Sequence, residues 1–263
     1  MNYEQIQYLT ESKKSFLCVG LDTDLSKLPT SLPKNAEGML QFNKAIIEAT
    51  LPFAVAYKIN TAFYEALGAE GWNVMEKTLK FLPKNIFKIA DAKRGDIGNT
   101  SKLYAKAFFE NLNFDAITVS PYMGEDSVKP FLEYENKWTI LLALTSNLGS
   151  QDFEMQKLAN GHFLYEEVLQ KSQQWATHKQ MMYVVGATQA EKLQEIRKIV
   201  PNHFLLIPGI GSQGGDLQKV IEYGKTKFGG LLINVSRDIL YASQDNDFAE
   251  KAYLKAEFWQ KQM

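Results

Sequence analysis

The sequence predicts an α/β fold, a single (β/α)₈ TIM barrel filling one domain over residues 1–263. Three observations lead there. Short apolar runs alternate with longer amphipathic stretches eight times, the count of a closed barrel. The runs are almost continuously apolar, as parallel strands covered on both faces must be. No Pro/Gly/Ser-rich linker divides the chain, and no sequence repeat is visible.

The elements follow in order. "FLCVGLD" gives a strand at 16–22, followed by a helical pattern at 37–50. "FAVAYKI" at 53–59 precedes a helix over 63–81, and "IFKIADA" at 86–92 precedes one over 104–111. "DAITV" at 115–119 is followed by a helix at 127–134, and "WTILLALT" at 138–145 by one at 163–177. The stretch between these last two, "SNLGSQDFEMQKLANGH" at 146–162, has weak periodicity, and loops of that length are often functional. "MMYVVG" at 181–186, "HFLLIP" at 203–208 and "GGLLINV" at 229–235 are the last strands. Their helices are expected at 189–200, 217–223 and 248–262.

Composition excludes several classes. A formal net charge of -1 argues against a nucleic-acid binder that works by bulk electrostatics. The single cysteine, Cys18, cannot found a disulfide framework, which suits a reducing cytoplasm. No apolar run approaches the ~18 residues of a membrane span. The polar N-terminus "MNYEQIQYLTESKKS" does not read as a signal peptide.

In such a barrel the site lies at the C-terminal strand ends, and polar residues gather there. The first strand ends in Asp22, the second in Lys58 and Asn60, and the third in Asp91 and Lys93, with Asp96 just beyond. The fifth ends in Thr145 and Ser146, and the eighth runs into Ser236, Arg237 and Asp238. Strand side chains alternate with period two, so Phe87, Ile89, Asp91 and Lys93 share a face, as do Ala54, Ala56 and Lys58. Adjacent strands then bring Lys58 beside Asp91 and Lys93. An alternating Lys–Asp–Lys chain compensates its own charge and is oriented before any substrate arrives. Each residue also has a plainer reading. Asp91 and Lys93 form an exposed loop pair, Lys58 snorkels to solvent, Asp96 caps a helix, and Thr100 is a first-turn residue with no role. Convergence at one rim favours the site.

"GIGSQG" at 209–214 fits G-x-G-x-x-G after a strand and before a helix. The dinucleotide fingerprint also needs an acid about 20 residues on, where this chain has Asn234, so no nicotinamide cofactor is expected. Loops after the seventh and eighth barrel strands commonly hold phosphate, which explains the glycines better. Backbone N–H groups, Gln213 and a bidentate Arg237 then form the grip; the alternative is a Gly-rich turn with a surface arginine. His162, His178 and His203 lack metal-ligand spacing, and no nucleophile elbow, P-loop or paired-cysteine motif occurs.

With these residues in place, "DAKRGDIGNTS" resembles the D-x-K-x-x-D-I-x-x-T signature of the orotidine 5′-phosphate decarboxylase family. "FLCVGLDTD", "YKINTAFYEALG", "PGIGSQGGD" and "NVSRDILYA" resemble its other landmarks in the expected order, across nearly the whole chain. "KINTAFYEALG" and the long loop after the fifth strand resemble the longer bacterial branch. The resemblance implies conversion of orotidine 5′-phosphate to uridine 5′-phosphate (UMP) and CO₂ in de novo pyrimidine synthesis. It implies a cytoplasmic homodimer with shared active sites, needing neither metal nor organic cofactor. Residue by residue, it implies a catalytic set of Lys58, Asp91, Lys93 and Asp96, with Asp96 serving the neighbouring subunit. Lys93 would protonate pyrimidine C6 after the carboxylate leaves, and Asp91 would orient it. Asp22 and Lys58 would hold ribose hydroxyls, with Thr100 helping from the partner. Ser146 would read the pyrimidine, although "LTSNLGS" departs from the family's usual residues and leaves Thr145 and Asn147 as alternatives. Gln213 and Arg237 would grip the phosphate, and Pro208 and Ser236 complete the substrate-binding set. The loop at 209–216 is the natural lid, because its glycines permit large backbone changes.

Two other readings compete. A metal-dependent sugar-phosphate aldolase or keto-acid decarboxylase shares the D-x-K-x-x-D spacing but needs extra acids for Mg²⁺. Glu65 is a candidate, on a helix expected to face away. A catalytically silent nucleotide-binding barrel would not need so dense a charge set.

Overall fold

The computed structural model describes residues 1–211 and 214–263. Eight parallel strands close in sequence order: β1 (Leu17–Gly20), β2 (Ala56–Asn60), β3 (Phe87–Arg94), β4 (Ala116–Val119), β5 (Trp138–Leu144), β6 (Met181–Val185), β7 (Leu205–Ile207) and β8 (Leu231–Val235). β8 returns to β1 with Cys18 opposite Asn234, so this sheet leaves no open edge. Every residue of β1, β4, β6, β7 and β8 is buried, which is why these strands are legible as continuous apolar runs.

The crossover helices are α2 (Ala36–Thr50), α3 (Ala62–Glu65), α4 (Gly68–Phe81), α5 (Gly98–Lys106), α6 (Glu125–Leu132), α7 (Leu164–Ser172), α8 (Leu193–Ile199) and α9 (Leu217–Gly224). After β8 come the short α10 (Arg237–Leu240) and the long α11 (Phe248–Lys261). Side-chain caps fix two starts: Asn35 accepts from Gly38 N at 3.1 Å, and Asp216 from Lys219 N at 3.1 Å.

The structure corrects several element boundaries. The pattern at 63–81 is two helices, because the backbone turns left-handed at Gly68 (φ 60°). The helix expected at 104–111 begins six residues earlier, at Gly98, and ends in a π-helical turn over Ala107–Asn111. That places Thr100 in its first turn. The stretch at 189–200 is a 3₁₀ segment over Ala187–Lys192 followed by α8, and α7 stops at Ser172. An N-terminal helix, α1 (Tyr3–Lys13), was not anticipated. It starts on a reciprocal Asn2–Gln5 capping box and packs Tyr3 against Trp138 and Phe204 near the N-terminal ends of β5 and β7.

The same end of the barrel carries a buried histidine. His203 is 5 % exposed, and neither ring nitrogen has a hydrogen-bond partner among the described residues. Burial, then His178 and Arg197, pull its pKa from 6.5 down to about 4. The unfolded chain therefore binds this proton more readily than the folded one, and stability falls as pH drops from about 6.5 to about 4. The full effect is roughly 3 kcal/mol. Urea denaturation at pH 7 and pH 4.5 should show this loss, and His203→Phe should remove much of it. An unchanged pH slope in the variant would place the acid sensitivity elsewhere.

Candidate active site

The C-terminal mouth of the barrel holds a cavity of 170 Å³. Asp22, Lys58, Asn60 and Asp91 line one side of it, from the ends of β1 to β3. Pro208, Asn234, Ser236 and Arg237 line the other, from β7, β8 and the start of α10. Strand register accounts for the convergence. Gly20 pairs with Lys58, and Asn60 with Asp91, so neighbouring strands end their inward-facing rows at one level.

Four side chains form a continuous run of ion pairs. Lys93 Nζ donates to Asp91 Oδ1 at 2.5 Å, and Lys58 Nζ to Asp91 Oδ2 at 2.8 Å. Lys58 Nζ also reaches Asp22 Oδ1 at 3.4 Å, and Ser236 Oγ donates to Asp22 Oδ2 at 2.8 Å. The Lys58 side chain is 4 % exposed, so the snorkelling reading fails. Burial disfavours its ammonium, but Asp22 and Asp91 more than compensate and raise its pKa above the lysine range. Burial would likewise raise Asp91, yet Lys58 and Lys93 hold its carboxyl well below the usual carboxylate range. Lys58 and Asp91 thus stay charged across the neutral range. The Lys93 side chain, by contrast, is 50 % exposed and lies at the open end of the run. Cys18 is buried beneath these charges; burial pushes its thiol up to about 12, so it is no nucleophile near neutral pH.

Period-two alternation explains Asp91 but not Lys93. The β3–β4 register shifts between Ala90 and Arg94, and Lys93 takes a left-handed conformation (φ 46°). For a non-glycine residue this costs about 1–2 kcal/mol. Thr118 on β4, not among the residues expected at the site, bridges the bulge. Its Oγ1 accepts from Lys93 N at 2.9 Å and donates to Asp91 Oδ1 at 3.1 Å. Asn234 was also missed as a lining residue; it is 6 % exposed and its Oδ1 has no partner among the described residues.

A second network fixes the end of β1. Thr23 Oγ1 donates to Asn43 Oδ1 at 2.6 Å, and Asn43 Nδ2 donates to Tyr64 OH at 2.9 Å. Tyr64 OH donates to Leu21 O at 3.1 Å, and Tyr241 OH to Asp22 O at 3.1 Å. Asp22 thus sits on a backbone held from α2, α3 and the segment after α10.

At the end of β5, Thr145 is engaged elsewhere. Its N donates to Glu154 Oε2 at 2.7 Å, and its Oγ1 also lies within hydrogen-bond distance of Glu154 and Asn147 Oδ1. The backbone of Ser146 packs so closely on Gly186 that a Cβ there would meet Ser146 N at 2.6 Å. Only glycine fits at 186, and this fixes Ser146 beside β6.

Two expected residues stand apart within this chain. The Asp96 carboxylate accepts from Ile97 N at 2.7 Å and neither lines the cavity nor pairs with Lys93. It is not the N-cap of α5 either; Ile97 holds that position without a side-chain cap. Thr100 is exposed on α5 and does not line the cavity. Gln213 lies outside the described residues, as does part of the expected lid. Beside it, Gly209 (φ 101°) and Gly211 (φ 83°) hold left-handed conformations that suit glycine. Glu65 is not part of the cavity; its carboxylate pairs with Arg94. Among the described residues, no three His, Cys, Asp or Glu side chains converge as a metal-binding group, and no helix is long and apolar enough to cross a membrane.

Comparison with known proteins identifies the family. The profile of the orotidine 5′-phosphate decarboxylase / HUMPS family matches residues 15–252. The orotidine 5′-phosphate decarboxylase of Phocaeicola vulgatus is 56 % identical over 266 residues, covering 100 % of this chain and 98 % of its own. That of Christiangramia forsetii is 58 % identical, covering 98 % of this chain and 96 % of its own. Among solved structures, Leishmania donovani OMP decarboxylase superposes with a TM-score of 0.83 at 36 % identity, covering 99 % of both chains. A charge run at the mouth of a closed barrel, joined to identity of this level over the full length, leads to one conclusion: the chain belongs to the orotidine 5′-phosphate decarboxylase family.

Proposed function

We propose that the Lys93–Asp91–Lys58–Asp22 run is the catalytic and ribose-binding centre of this enzyme. Its reaction is the decarboxylation of orotidine 5′-phosphate to UMP and CO₂, in UMP biosynthesis. The observation that carries the assignment is the pair of short bonds from Lys93 and Lys58 to the two oxygens of Asp91. When the bond from C6 to the carboxylate breaks, its electron pair stays on C6, with no adjacent carbonyl to accept it. A fixed cation is the available stabiliser. Lys93 supplies it, then transfers a proton from its ammonium to C6 and regains one from solvent. Asp91 aims Lys93 and disfavours the substrate carboxylate at the place it must leave. Asp22 and Lys58 hold the ribose hydroxyls, and Ser146 reads the pyrimidine, Thr145 being committed to Glu154. Pro208 and Ser236 line the nucleotide's path, and Gln213 and Arg237 grip the phosphate. Binding energy from that remote phosphate supports the costly geometry at C6.

The active unit in this reading is a cytoplasmic homodimer. Ile97, Leu103, Tyr122 and Met123 are exposed apolar side chains at the rim after β3 and β4, where a second copy would cover them. Asp96 and Thr100 belong to the same rim and would enter the partner's site. Cys18, free and buried, suits a reducing compartment.

The test is the ultraviolet absorbance of orotidine 5′-phosphate with purified protein, with and without a chelator. Turnover should be the same in both. Loss with EDTA, restored by Mg²⁺, would favour the aldolase-like chemistry of metal-dependent relatives. The phosphate grip has its own check. Arg237→Ala should weaken UMP by on the order of 2–5 kcal/mol while leaving uridine binding unchanged. Equal losses for both ligands would remove Arg237 from the phosphate.

A further inference from the structure

The geometry points to Arg94, locked by Glu65, as a positioning residue for the catalytic ammonium of Lys93. Lys93 needs such support. It is a long side chain, half exposed, at the apex of a bulge and in a left-handed conformation that persists only where its surroundings over-determine it. Thr118 holds its N–H from one side. Arg94 acts from the other. Its Nη1 donates to Ala92 O at 2.8 Å, closing a ring around Lys93. Its Nη2 pairs with the Glu65 carboxylate at the end of α3, the short helix that follows the strand carrying Lys58 and Asn60. The guanidinium also lies 5.4 Å from the ring centroids of both Tyr104 and Phe108. Tyr104 is on α5, the helix that starts just after Asp96, and Phe108 is on its π-helical turn. Beyond the bulge, Ser120 N donates to Arg94 O at 2.8 Å and the ladder to β4 resumes at Val119.

One cation thus joins three pieces of the site: the bulge with Lys93, the segment after Lys58, and the helix after Asp96. Arg94 does not line the cavity, so it acts through Lys93 rather than on substrate. A planar fork suits the task, because it can hold a backbone carbonyl and a carboxylate at once. Glu65, expected as a possible metal ligand, is the anchor of this fork.

The inference rests on Lys93 being the proton donor, and the experiment separates the two claims. Arg94→Ala, the nearly isosteric Glu65→Gln and the Arg94→Ala/Glu65→Gln double variant are compared with wild type and with Lys93→Ala. Readouts are kcat, UMP affinity and melting temperature. A displacement of about 1 Å at a reacting group can cost on the order of 100-fold in rate. Each single variant should therefore lose roughly 10- to 100-fold in kcat, with UMP affinity within twofold of wild type. The double variant should be no worse than the poorer single, because both lesions open the same clamp. Singles within twofold of wild type in kcat would overturn the proposal. So would UMP affinity and melting temperature falling in parallel with kcat, which marks a purely structural pair. If Lys93→Ala itself keeps turnover, the Lys93 assignment fails first and the positioning role falls with it.

Discussion

Lys93→Ala should abolish turnover while UMP still binds. In the proposed reaction two contributions would leave together: the fixed cation beside the developing carbanion and the proton that quenches it. Removing one oriented electrostatic stabiliser typically costs 10²–10³ in rate, and removing a general acid 10²–10⁴. A combined loss of at least about 10⁴-fold is expected. The fold should tolerate the change. Lys93 is half exposed, and Asp91 keeps Lys58 at 2.8 Å. UMP affinity should change little if, as proposed, ribose and phosphate are held by groups on the other strands. Single-turnover kinetics together with a UMP titration give both readings. Turnover within tenfold of wild type, about 1.4 kcal/mol of barrier, would remove Lys93 from the chemistry.

Mixing Lys93→Ala with Asp96→Ala should restore about a quarter of wild-type activity. In this chain Asp96 lies beyond the bulge and apart from the ion-pair run, and its neighbour Ile97 is an exposed apolar side chain. If a two-fold partner brings its Asp96 to this mouth, each mixed dimer has one site with both lesions and one with none. Random exchange of equal amounts makes half of the dimers mixed, hence the quarter. Should Asp96 act within its own chain, every site carries a lesion and mixing restores nothing. Subunit exchange must be confirmed independently, for instance by mass-tagged subunits.

The strands were legible because each is an apolar run ending in polar residues, and a barrel covered on both faces leaves that trace. α5 was not legible at its start. Gly98, Asn99, Thr100 and Ser101 carry no apolar period, and no side chain caps the helix at Ile97. α1 could have been found from Asn2 and Gln5, a capping box in front of Tyr3, Ile6 and Leu9. Within the site, Asp22, Lys58, Asp91, Ser236 and Arg237 could be read from strand ends alone. Thr118 and Asn234 could not, because their places depend on which strand meets which at what register, and the same holds for the Glu65–Arg94 pair outside the cavity. Alternation placed Lys93 on the correct face, but the physical cause is a bulge and a left-handed residue, neither written in the local sequence.

The most direct measurement is a crystal structure of the protein with UMP. The phosphate should lie on Arg237, ribose hydroxyls at Asp22 and Lys58, the uracil edge at Ser146, and Lys93 Nζ within contact of C6. Asp96 of a second copy should lie beside the same nucleotide. A nucleotide bound elsewhere, or with C6 turned away from Lys93, would contradict the proposed site.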